Sequence, residues 1–288
     1  MKVHLFYLGE VMLTLSRFIR KLLPMMALVM IAACSSKNKV QSKQSEIYFA
    51  AGTQSLMDKQ YTDALKNLIQ ANNLDPNNSE ILNNLAMAYY FKGEKDLAIK
   101  QLERSLELDK KNSDAKTNLA SIYFKEGNIK EAEALYQKVL KDLTYEKQAR
   151  TYYNLGVIEL QAKNNLSKAE SYFKRSIKED ENYCPSYYHL GIIQFKQRKH
   201  NTALKSFKEA SMGTCYDSPA PHYYQALSLI NLSRFDEARI KLDEIDTRFK
   251  NSSFAKMARM KTLELNQLQK NKSQESHASG KMLESPEF

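Results

Sequence analysis

The chain has 288 residues, a formal net charge of +10, no tryptophan, eight glycines and six prolines. Few helix breakers and many Ala, Leu, Lys, Glu, Gln and Asn residues suit a mostly helical protein. The positive charge forms no compact Lys/Arg patch with interleaved aromatics, which argues against nucleic acid as the partner.

The first thirty-four residues read as an address. Residues 22–33, LLPMMALVMIAA, form an apolar run behind Arg17, Arg20 and Lys21. A basic stretch followed by a short apolar one is the layout of a secretory signal. A membrane-spanning helix would need about 20 apolar residues. The run ends in Ile31-Ala32-Ala33-Cys34, followed by the polar stretch SSKNKVQSKQS. These four positions resemble the lipobox of bacterial lipoproteins. The resemblance implies cleavage before Cys34, a diacylglyceryl group on its thiol and acylation of the new amino group. Two or more acyl chains anchor stably where one binds marginally. A start at Met12 would give a cleaner signal, because residues 1–11 add Glu10 and extra apolar residues ahead of the basic stretch. Ser35 stands where an aspartate would signal inner-membrane retention, so the expected location is the periplasmic face of the outer membrane. Residues 34–44 are expected to be the acylated cysteine and a flexible linker.

From residue 45 onward the chain repeats itself. A small residue recurs at Gly52, Ala86, Ala120, Gly156, Gly191 and Ala226, at intervals of 34, 34, 36, 35 and 35 residues. A second follows at Ala64, Ala98, Ala132, Ala169, Ala203 and Ala238, twelve residues later except in the fourth copy, where it is thirteen. A one-residue insertion therefore falls within Lys163–Leu166. Helices packed 8–10 Å apart need small side chains where their axes approach. Gly52 and Ala64, with their equivalents, are the expected contact points between the two arms of each hairpin. Leu85, Leu119, Leu155 and Leu190 fill the seam from first helices, and Leu68, Leu102, Tyr136, Phe173, Phe207 and Leu242 from second helices. Turn signals such as Lys92-Gly93-Glu94 and Leu74-Asp75-Pro76 separate them. The pattern resembles the tetratricopeptide repeat, with six copies over residues 45–252. The implied fold is all-α: a right-handed superhelical solenoid of six hairpins, each stabilised by stacking on its neighbours. Residues 253–270 place Phe254, Met257, Met260 and Leu263 on one face and read as a capping helix. Residues 271–288 lose the periodicity and read as a disordered tail.

Besides Cys34, the chain holds Cys184 and Cys215. They sit at adjoining ends of the fifth hairpin, and export would place them in an oxidising compartment, so a disulfide is expected. Two unrelated core thiols are the alternative. A metal site drawn from these cysteines with His189, His200 and His222 lacks any CxxC or HExxH spacing.

Asn84, Asn118 and Asn154 recur just before the small residue of repeats two to four, with His189 and Tyr224 at the equivalent positions of repeats five and six. Tyr153, Tyr188 and Tyr223 stand beside them. Amides can pair with the main chain of an extended peptide, and tyrosines supply contact area with a polar tip. One reading is a groove for a partner protein, rich in amides and then in tyrosines. The other is that these asparagines only bond neighbouring helices. Phe49 and Thr53 stand where a carboxylate clamp would begin, so capture of a C-terminal carboxylate is not expected. No nucleophile motif, phosphate loop or paired-carboxylate spacing suggests an enzyme, a cofactor or a small-molecule substrate.

Taken together, the lipobox, linker, repeats and terminal helix resemble the outer-membrane lipoproteins of type IV pilus biogenesis, pilotins of the PilF, PilW and Tgl kind. The resemblance spans residues 34–270 and implies a factor that promotes assembly of a secretin ring. A scaffold for cell-wall enzymes and an outer-membrane barrel-assembly lipoprotein are the alternatives.

Overall fold

The computed structural model describes residues 40–282, with side chains described to residue 271. The expected signal segment, Cys34 and the start of the linker lie outside the described residues. Those described are helical and contain no strand. Helix α1 is already helical at residue 40 and ends at residue 57. It is followed by α2 (Tyr61–Leu74), α3 (Ser79–Phe91), α4 (Lys95–Leu108), α5 (Ser113–Lys125), α6 (Ile129–Val139) and α7 (Gln148–Gln161). Then come α8 (Leu166–Glu179), α9 (Cys184–Lys196), α10 (His200–Glu209), α11 (Pro219–Asn231), α12 (Phe235–Arg248) and α13 (Ser253–Met282). The helices fall into two compact units, divided between Ile122 and Tyr123 within α5.

In the first unit Gln41 and Ser45 of α1 donate to the carbonyls of Leu74 and Ala71 at the end of α2. The flexible linker expected through residue 44 therefore gives way to helix by residue 40, where Gln41 satisfies the Leu74 carbonyl at the end of α2 and Ser45 adds a second bond to the Ala71 carbonyl, which already accepts the Asp75 amide. The core joins Ala64, Leu68, Leu85 and Ala88, with Phe49 and Leu56 packed against it. Asn78 caps α3 by accepting from the Glu80 and Ile81 amides, and Asn112 caps α5 through the Ala115 amide. Ser105 of α4 ties back to the Ser79 carbonyl at 2.7 Å.

The second unit repeats these devices. Ser176 of α8 donates to the Ala149 carbonyl of α7 at 2.7 Å, and Gln225 of α11 to the Phe207 carbonyl of α10 at 2.9 Å. Phe173 is fully buried with Ala169, Leu190 and Ile193. Leu242, Ile245 and Ala226 form the last core, which Ala258 and Leu265 of α13 complete.

In all six hairpins the turn closes on a backbone bond reaching back into the first helix. The pairs are Gln60 to Ser55, Glu94 to Tyr89, Asn128 to Tyr123, Lys199 to Gln194 and Arg234 to Leu229. In the fourth the bond runs from Asn165 to Glu159, one residue longer, which locates the inserted residue. This helix-ending bond needs a left-handed residue. Gly93 and Gly127 supply it at φ 89° and 82°, but Lys59, Asn164, Arg198 and Ser233 hold it with side chains at φ 50–60°.

The small residue of the first helix has a more specific task than the spacing suggested. A Cβ on Gly52 would lie 2.6 Å from the Leu68 side chain, and on Gly156 and Gly191 equally close to Phe173 and Phe207. The glycines therefore face the large residue of the second arm, not its alanine.

The terminal helix corrects two expectations. It continues past residue 270 to Met282, where an unstructured tail was expected; residues 283–288 lie outside the described residues. Its buried face is Ala255, Ala258 and Leu265, whereas Met257, Met260 and Leu263 are exposed. Only Phe254 of the expected face packs inward, against the Tyr223 ring. The alanines win because they let α13 approach α12 more closely than methionines could.

Replacing Gly191 with Ala is expected to destabilise the protein by about 1–3 kcal/mol through overpacking, measured by urea unfolding. Helix propensity alone would favour alanine by ~1 kcal/mol, so the sign of the change reports the contact with Phe207.

Candidate partner-binding surface

In the first unit the asparagines form a relay. Asn118 Nδ2 donates to Asn83 Oδ1 at 2.9 Å, Asn83 Nδ2 to Asn84 Oδ1 at 3.0 Å, and Asn84 Nδ2 to Thr53 Oγ1 at 2.8 Å. The relay links α5, α3 and α1. Asn118 is 6 % exposed, so its amide binds α3 rather than facing outward. For Asn118, bonding between neighbouring helices is the correct reading. Asn84 is half-buried. Asn154, in the second unit, is also half-buried, and its Nδ2 is buried without a hydrogen-bond partner.

The second unit replaces amides with rings. Tyr153 lies 5.5 Å from Tyr183 and 5.4 Å from His189, both edge-on. Tyr188 lies 5.3 Å from His189 and 5.9 Å from Tyr224, and Tyr224 stacks on Phe207 at 5.3 Å. Tyr153, Tyr188 and Tyr224 are half-buried, leaving part of each ring accessible. Tyr223 departs from the expected groove: it is 6 % exposed and belongs to the core under α13. Burial pushes the Tyr183 and Tyr188 phenols up to about 12 and the His189 imidazole down. The rings therefore present neutral, polar-tipped contact area near neutral pH.

One register relates these contacts. The residue preceding the recurrent position in one repeat touches the recurrent position of the next: Asn83 to Asn118, Tyr153 to His189, and Tyr188 to Tyr224. Asn83, Thr53 and Tyr183 were not singled out as part of the groove in the sequence, because each acquires its role only from the helix beside it.

Cys184 and Cys215 are placed at disulfide distance, with Cα atoms 6.1 Å apart. The pair holds the short 3-10 turn Gly213–Cys215 against the start of α9. Beyond it, the Tyr216 carbonyl lies 3.2 Å from His222 Nε2 and accepts from Arg248 Nη2 at 2.9 Å. The Arg248 guanidinium sits 3.6 Å over the Tyr216 ring and also bonds Asp217. No pattern in the sequence announced this clamp, whose parts come from a loop and two helices. Burial pushes the His222 imidazole down. Among the described residues no group of three His, Cys, Asp or Glu side chains converges to hold a metal ion, and no helix is long and apolar enough to cross a membrane.

A buried carboxylate marks the fourth turn. Glu159 is contacted by the ammonium groups of Lys168 and Lys163, and Lys163 also reaches Glu133. Burial pushes the Glu159 carboxyl up, but the two lysines outweigh it and hold it below the usual range.

Residues 55–106 and 113–178 match models of the tetratricopeptide repeat, so these two stretches carry repeats of that type within the all-helical fold. Among solved structures, the chain is similar to PilF of Pseudomonas aeruginosa, with 18% identity and a TM-score of 0.65, over 77% of this chain and 99% of that one. PilW, described as a widely conserved type IV pilus biogenesis factor, gives 18% identity and 0.63, over 74% and 97%. A chain of the Cut9–Hcn1 hetero-tetramer of APC/C gives 17% and 0.65, over 77% and 45%. At these identities the likeness is one of fold. No match is found among curated protein sequences.

Two outcomes follow from the site. Iodoacetamide should label neither Cys184 nor Cys215 until reductant is added, and reduction should cost roughly 3–4 kcal/mol on the chain-entropy model. His189 and His222 are held neutral in the folded state, so the unfolded chain binds more protons below its histidine pKa of about 6.5. Their contribution is complete above that pH and falls as pH drops through it, by up to about 1.4 kcal/mol per pH unit per histidine. A melting series from neutral pH to pH ~5 should show this fall, and His222→Gln should flatten it.

Proposed function

We propose that this protein is a membrane-anchored periplasmic scaffold of the pilotin type, promoting assembly of an outer-membrane secretin in type IV pilus biogenesis. The observation that carries the reading is coverage: the chain spans 99% of PilF and 97% of PilW. The proposed anchor is acylated Cys34, by resemblance to the lipobox. The proposed contact surface is the exposed part of Tyr153, Tyr188 and Tyr224. Aromatic rings already held by their neighbours lose little side-chain freedom on binding, which favours them as anchors for a partner.

The test is a crosslinked pull-down of the lipidated protein from cell envelopes, alongside a deletion strain. A recovered secretin and lost twitching support the reading. Recovery of wall synthases or hydrolases without secretin, together with altered cell shape, overturns it in favour of a wall scaffold. A leaky outer membrane with barrel-assembly proteins recovered overturns it as well. Tyr188→Ala is expected to weaken partner binding by more than tenfold, on the scale of an interface hot spot above ~2 kcal/mol; Asn118→Ala, at a buried position, should alter stability instead.

A further inference from the structure

Helices α7, α9 and α11 offer a partner few hydrogen bonds and little charge. In α9 and α11 every side-chain amide is already engaged within the protein. Gln194 Oε1 accepts from Ser206 at 2.8 Å. Gln225 Nε2 donates to the Phe207 carbonyl and to Ser211, and Asn231 Nδ2 donates to the Leu227 carbonyl at 2.8 Å. In α7, Gln148 donates to the Asp142 carbonyl at 2.7 Å and Asn154 Nδ2 is buried, which leaves Gln161, exposed at the end of the helix. His189 Nδ1 lies 3.1 Å from the Pro185 carbonyl of its own helix. Histidines apart, α9 and α11 carry one charged residue, Lys196, and α7 carries Arg150 and the buried Glu159. The half-buried side chains are mostly apolar or aromatic. At about 100° per residue, Tyr188, Ile192 and Phe195 share an arc of roughly 60° on α9. Tyr224 of α11 meets both Tyr188 and Phe195, with ring centroids 5.9 Å apart in each case.

We propose, resting on the contact surface named above, that the partner segment docked there is an amphipathic α-helix with an uncharged apolar stripe against Tyr153, Tyr188 and Tyr224. Main-chain hydrogen bonding selects the occupant. Three adjacent helix axes ~10 Å apart span about 20 Å, so a strand crossing them would lay about six residues on the face. Each residue brings a main-chain donor and an acceptor. The rings answer with three phenol groups, and a main-chain group buried there without a partner is costly. A helix arrives with its main chain already bonded, and about thirteen of its residues cover the same span. Its anchors, three and four positions apart, then meet successive rings. The charge agrees. A charged side chain within the docked stripe would find no counter-charge among the rings, so the partner helix keeps its charges on the outward side.

The test places the photoreactive residue p-benzoylphenylalanine at position 153, 188 or 224 of the full chain, crosslinks in intact cells and maps the captured partner residues by mass spectrometry. Captured residues spaced three and four apart support the helix. A spacing of two overturns it, and so does the lack of a crosslink from all three positions. The spacing is read whatever the partner is. Helical spacing in a protein other than a secretin supports the docked helix and overturns the pilotin reading, whereas alternate spacing in a secretin does the reverse. A synthetic peptide of the captured segment should gain helical circular dichroism on binding the full chain. Proline at its central position should weaken that binding about a hundredfold; unchanged affinity overturns the proposal.

Discussion

The structure depends on one recurrent contact, in which a small residue of each second helix and a large one four positions later are buried together. Ala64 and Leu68, Ala98 and Leu102, Ala132 and Tyr136, Ala169 and Phe173, Ala203 and Phe207, and Ala238 and Leu242 are each at most 1 % exposed. The alanine permits close approach of the axes, and the large side chain fills the space beside it. Where that side chain is a phenylalanine, the facing residue of the first helix is Gly156 or Gly191, since a Cβ there would meet the ring. Because this pair is satisfied locally, the turns can vary. Four of them hold a left-handed residue without glycine, and one absorbs an extra residue.

Stacking the hairpins creates a second contact register, and it decides which polar and aromatic groups remain free to meet a partner. Asn118 donates to Asn83 across adjacent first helices and Asn83 passes its own amide to Asn84, so that stretch is built for cohesion. In the second unit the same register is occupied by rings, whose centroids lie 5.4 and 5.9 Å apart and which still leave part of their surfaces accessible. An amide pair saturates its strong directional bonds internally, whereas a ring in edge contact keeps a face or an edge to offer. This difference makes Tyr153, Tyr188 and Tyr224 better candidates for recognition than the asparagines that share their positions.

The last part of the chain combines rigidity with an exposed face. The Cys184–Cys215 link and the Arg248–Tyr216–His222 clamp hold one loop to three helices. Next to them α13 closes the core with two alanines and a leucine and turns its larger apolar residues outward. A terminal helix that served only to seal the array would be expected to carry polar residues there.

By itself the sequence determined the all-helical class and the buried pair in every second helix, because each follows from spacing along a single chain. It also placed the insertion within Lys163–Leu166 and anticipated the proximity of Cys184 and Cys215, since an antiparallel hairpin brings its two ends together. Tertiary structure alone decided the rest. Whether Asn118 faces a partner or Asn83, whether Tyr223 lines a groove or fills a core, and which face of α13 is buried all depend on the neighbouring helix. Helical periodicity divides an amphipathic helix into faces, but the tightest available packing chooses among them, and on α13 it chose the alanines over the methionines.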